Sequence, residues 1–80
     1  SVVVTERIKN LVKEKEFSPN LNILVTTFNK QLLTYLGKWI EDLLNTLDSE
    51  KKNFRRQGNS FYFKNSSTPN LTLLWFDVLP

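Results

Sequence analysis

The segment Lys51-Lys52-Asn53-Phe54-Arg55-Arg56-Gln57-Gly58-Asn59-Ser60-Phe61-Tyr62-Phe63-Lys64 holds the side chains best suited to bind another molecule. Five of the eleven Lys and Arg residues lie in it, with no Asp or Glu among them, and they alternate with aromatics. Cations meet phosphates and flat rings meet bases, so this composition is what a nucleic acid asks for. The same residues suit a protein partner. Lys51, Lys52, Arg55, Arg56, Tyr62 and Lys64 are therefore the candidate residues for partner or nucleic-acid binding. A plainer reading competes. Cations in the last turns of a helix complement its dipole, and aromatics in a strand are ordinary core.

Catalytic chemistry is poorly supplied. The chain has no His and no Cys, which removes the usual proton shuttle, the thiolate nucleophile and ordinary zinc ligands. No Ser-x-x-Lys spacing stands in a context that would serve a serine nucleophile. Glu41 and Asp42 are adjacent carboxylates, but Lys38 lies three and four residues before them, and solvated ion pairs explain the group better than acid–base work. Gly37 and Gly58 are the only glycines, so there is no glycine-rich phosphate loop. Asn65-Ser66-Ser67 and Asn70-Leu71-Thr72 match the glycosylation acceptor pattern, which nine Asn in a Ser- and Thr-rich chain produce by chance. The expectation is a chain that is not an enzyme and carries no metal, cofactor or small-molecule substrate.

The element that must organise these residues is Asn29 to Leu47. At 100° per residue, Leu32, Leu33, Tyr35, Leu36, Trp39, Ile40, Leu43, Leu44 and Leu47 fall on one half of a helical wheel. That is an amphipathic helix with an apolar face wide enough for two packing partners. Trp39 and Leu43 stand mid-face and are expected in the core. Asn29 reads as its N-cap. Its end has two readings: Asp48-Ser49, or Gly58 with Lys51, Lys52, Arg55 and Arg56 in the final turns.

A first helix from Thr5, as cap, to Glu16 carries the narrow stripe Ile8, Leu11 and Val12; the valines before it are open between helix and strand. Ser18-Pro19-Asn20 suits a helix start. Leu21 to Phe28 continues the helical stripe backwards, yet Ile23, Val25, Thr26 and Thr27 are β-branched within five positions and favour a strand. Ser60 to Lys64 and Leu71 to Asp77 read as strands joined by a turn-rich loop, most simply a C-terminal antiparallel hairpin on the main helix. The last strand is apolar on both faces and is expected to be covered on both.

Together these give a small single α+β domain with two or three helices and a C-terminal hairpin. The order helix, short element, helix, hairpin is compatible with a winged-helix architecture, an analogy of element order alone. With no Met even at position 1, the chain reads as a fragment of a longer protein. No apolar run approaches the ~18 residues that span a bilayer, and no signal-peptide core is present. Absence of Cys suits a reducing, intracellular compartment. Net charge is +3, but Lys30, Thr34, Lys38, Glu41, Asp42 and Asn45 make the polar helix face mixed in sign, which would repel phosphate. The expected function is a non-catalytic protein–protein interaction module that meets a protein partner or a second copy of itself. The alternative is a winged-helix-like DNA-binding domain using residues 51–64.

Overall fold

The computed structural model describes residues 2–76. The elements run α1 (Val2–Lys15), β1 (Ile23–Thr27), α2 (Lys30–Leu47), β2 (Phe54–Gln57), β3 (Ser60–Phe63) and β4 (Leu71–Trp75). The strands form one mixed sheet in the order β1-β4-β3-β2. β1 pairs parallel with β4, Val25 opposite Leu73, whereas β3 pairs antiparallel with both β4 and β2. The fold is α+β, with two helices and four strands among the described residues.

The core lies between the helices and one face of the sheet. Ile8 and Val12 of α1, Leu36, Ile40 and Leu44 of α2, and Val25, Phe61, Phe63, Leu71 and Leu73 of the strands are all buried. Period 3.6 on the helices and period 2 on the strands bring these residues to a common layer. Phe17 closes its end, edge-on to Phe63 with centroids 5.4 Å apart and stacked on Phe54 at 6.2 Å. To put it there the chain leaves α1 through two residues at positive φ, Glu16 at 53° and Phe17 at 57°. Such φ values cost a non-glycine residue on the order of 1–3 kcal/mol, which burial of a phenyl ring offsets.

Several open readings are resolved. The valines 2–4 begin a helix, so Thr5 lies inside α1 and not at its cap. The β-branched residues prevail over the helical stripe in 23–27, where side chains alternate between the core and the outer face. Residues 18–20 form turn and coil, with Leu21 N–H donating to Ser18 O at 3.1 Å, and start no helix. Asn29 caps α2 as expected, its Oδ1 accepting from Gln31 N at 2.8 Å and Leu32 N at 3.2 Å.

The main helix stops at Leu47. Asp48 is buried, and its carboxylate accepts from Asn53 N and Asn53 Nδ2, both at 2.9 Å. This folds residues 48–53 into a tight turn and sends Phe54 to Gln57 back as a strand. Lys51, Lys52, Arg55 and Arg56 are therefore not the last turns of a helix. Gly58, at φ 60°, is the first residue of the two-residue β2–β3 turn, where positive φ is required.

The strands 60–63 and 71–75 do pair antiparallel, but within the sheet and not as a separate C-terminal hairpin. Asp77, expected in the last strand, lies outside the described residues. The outer face of β4 is not covered among the described residues: Leu74 is 41% exposed.

Asn70 locks the connections together. Its side-chain oxygen accepts from Phe63 N at 2.8 Å, and its amide donates to Pro19 O and Leu21 O, both at 2.8 Å. Its backbone adds Asn70 N to Phe61 O at 2.9 Å and Ile23 N to Asn70 O at 2.7 Å. One buried residue thus joins the α1–β1 connection to β1, β3 and β4. The glycosylation pattern at Asn70 sits on an amide with no free donor and 1% exposure.

Candidate interaction surface

The basic segment 51–64 becomes a turn and two paired strands, and pleating divides its cations. Arg55 and Tyr62 are opposite each other on the outer face of the sheet, the guanidinium 4.5 Å from the ring centroid, with Arg55 Nη2 donating to Ser66 O at 3.3 Å. Arg56 points to the other side. It donates through Nη1 to Glu41 Oε1 at 3.1 Å and through Nε to Gly58 O at 2.8 Å, and lies over the Phe61 ring.

Gly37 makes room for Arg56. A Cβ there would stand 2.7 Å from Arg56 Nη2. Glu41 therefore serves Arg56, and not Lys38 as its helical spacing suggested.

The other candidate residues disperse as well. Lys51 Nζ donates to Asn45 O at 3.0 Å, and Lys52 pairs with Glu50 at 3.4 Å. Lys64 is exposed past the end of β3. Only Arg55 and Tyr62 of the six are brought into mutual contact through their side chains. Among the described residues no group of three or more acidic side chains is placed to hold a metal ion.

A different surface is assembled by α2. Leu36, Ile40 and Leu44 face the sheet and are buried. Leu32, Tyr35 and Trp39 follow at spacings of three and four on the adjacent face, and they are 43%, 69% and 43% exposed. Tyr35 and Trp39 meet edge to face, centroids 6.0 Å apart. A shallow groove of about 550 Å³ lies beside Tyr35 and Trp39, with Gln31, Thr34, Lys38 and Asp42 completing its lining.

Trp39, expected in the core, is thus at the surface. Leu43 is only half-buried, at a cleft between α2 and Thr5, Glu6 and Lys9 of α1. The width of the apolar face was the signal for this surface. On the wheel the same width reads as deeper core, because the wheel does not say how far round the helix its own chain reaches.

A second apolar tract lies across the sheet. β1 is an edge strand, and with α1 it lines a groove of about 480 Å³ that includes Val4, Arg7, Leu11 and Leu24. β1 itself carries no charge or proline to blunt its edge. The opposite edge, β2, carries Arg55 and Arg56. Among the described residues no helix is long and apolar enough to cross a membrane.

Comparison with family models, with curated proteins and with solved structures finds no match to this chain.

Proposed function

We propose that the domain is a non-catalytic protein–protein interaction module that presents one face of α2. The observation that carries this reading is the second apolar line of that helix. Leu36, Ile40 and Leu44 already supply the core contacts, yet Leu32, Tyr35 and Trp39 add three large side chains, two of them aromatic, on a face toward solvent. Single exposed apolar residues are ordinary, but an aligned aromatic set with a polar rim is the composition of an interface centre.

The test is a photo-crosslinking residue at position 35 of the intact chain in its native cell, with position 13 of α1 as the exposed control. Discrete protein adducts at position 35 that are absent at position 13 are expected. No adduct at position 35 would remove the proposal.

The nucleic-acid reading loses support from the division of the cations. Two of the five in the basic segment already face carboxylates, Arg56 on Glu41 and Lys52 on Glu50, and each must exchange that partner to meet a phosphate. What remains for it is Arg55 over the Tyr62 ring, together with Lys51 and the exposed Lys64.

The two arginines separate the two readings. Arg56→Gln should cost about 1 kcal/mol of stability, because it leaves Glu41 unpaired and half-exposed and Gly58 O without its donor. Arg55→Gln should change stability by less than ~0.5 kcal/mol. Neither variant should differ from the wild type in duplex binding, which is expected to be negligible at low and at high salt. Salt-sensitive duplex binding that Arg55→Gln weakens would promote the nucleic-acid reading instead.

A further inference from the structure

We infer that the partner of the α2 face is a second copy of this chain, bound with the two α2 helices antiparallel about a two-fold axis near Ile40. The inference rests on the reading of that face as an interface, and it is carried by the charges on the rim. Lys38 and Asp42 stand one turn apart, ~6 Å along the helix, on the same flank of the line Leu32–Tyr35–Trp39. They line the same groove. Spacing of four residues would let them pair with each other, but they do not. Neither has an ion-pair partner among the described residues, although Glu41 between them is taken by Arg56.

A cation followed one turn later by an anion along an apolar line is its own complement when reversed. Two such helices laid antiparallel, with residue 40 level with residue 40 of the other copy, bring Lys38 of each opposite Asp42 of the other. The contact is isologous, so one favourable pair occurs twice and the symmetry closes at two copies. Trp39 of each copy then lies beside the axis and next to the half-buried Leu43 of the other, and Tyr35 packs one turn further along. Large aromatics at the centre with charges at the rim is the arrangement that excludes water from the contact and fixes its register. A partner of uniform charge would satisfy only one of the two rim groups.

The contact is small. Stable dimers bury roughly 800 Å² per partner, more than three side chains and their rim supply, so dissociation in the micromolar range is expected.

Sedimentation equilibrium from micromolar to millimolar concentration tests this. The wild-type chain should pass from monomer to dimer and stop there. Lys38→Asp and Asp42→Lys should each weaken the dimer about tenfold or more, because each reversal sets two like charges together twice. The double variant Lys38→Asp/Asp42→Lys should restore dimerisation to near the wild-type level, since the reversed pair has the same geometry. Tyr35→Glu, at a residue that is mostly exposed, should be monomeric with its fold intact by circular dichroism. A wild-type chain that stays monomeric to millimolar concentration overturns the inference. A dimer insensitive to single reversals, or not rescued by the double one, overturns it equally. If the chain is monomeric while a crosslinker at position 35 captures a different protein, the second copy is wrong and the interaction reading stands. If there is neither dimer nor adduct, both fall.

Discussion

Asn70→Asp should unfold or nearly unfold the domain, although it changes one NH₂ group for one oxygen. The buried amide donates to Pro19 O and Leu21 O while its oxygen accepts from Phe63 N. The aspartate keeps the shape and the acceptor but loses both donors, and it sets a carboxylate oxygen against two carbonyl oxygens. Each buried group left without its partner costs about 1–3 kcal/mol, and a buried unpaired charge adds to that. An 80-residue domain has on the order of 4–12 kcal/mol in all. Asn70→Ala, which adds a cavity but no charge, should cost somewhat less, roughly 3–4 kcal/mol. Urea denaturation of both variants checks the order. An Asp variant as stable as the wild type would mean that the three side-chain bonds do not hold the connections together.

The second large effect lies in α2 and distinguishes neighbouring leucines. Leu44→Ala should cost about 2–5 kcal/mol, lowering the thermal midpoint by roughly 10–30 °C, because Leu44 is fully buried between α2 and the sheet. Leu43→Ala, half-buried at the cleft with α1, should cost distinctly less. Equal losses at the two positions would place the cleft inside the core. Leu43 is mid-face on the helical wheel, so pattern alone ranks these residues the other way.

That reversal shows how far the sequence is legible and where it stops. The α2 helix, its cap at Asn29 and the two β-rich segments near the C-terminus are set by local chemistry: periodicity, an Asx side chain, β-branched and aromatic runs. β1 was half-legible, since a helical stripe and β-branching overlap in the same five residues. The end of α2 was not legible, because it depends on a buried carboxylate meeting Asn53 five residues later. The pairing of β1 with β4 joins residues nearly fifty positions apart, and no local pattern encodes it.

The candidate site followed the same rule. The composition of residues 51–64 is visible in one dimension, but which side of a strand each cation takes is set by register. A shift of one residue exchanges Arg55 and Arg56 between solvent and core. The space that receives Arg56 depends on Gly37, nineteen positions earlier. The two partners anticipated for the wide face of α2 are, in this fold, its own sheet and α1, and Leu32, Tyr35 and Trp39 remain exposed beside them.

As proposed, Leu32, Tyr35 and Trp39 belong to an interface and not to the domain's own core. Hydroxyl-radical footprinting of the intact chain at low and high concentration tests this most directly, with Tyr62 and Trp75 on the sheet as internal references. Tyr35 and Trp39 should be oxidised rapidly in dilute solution and protected at high concentration, while Tyr62 and Trp75 do not change. Slow oxidation of Tyr35 and Trp39 in dilute solution would place them in the core, and equal rates at both concentrations would leave the α2 face without the second copy assigned to it.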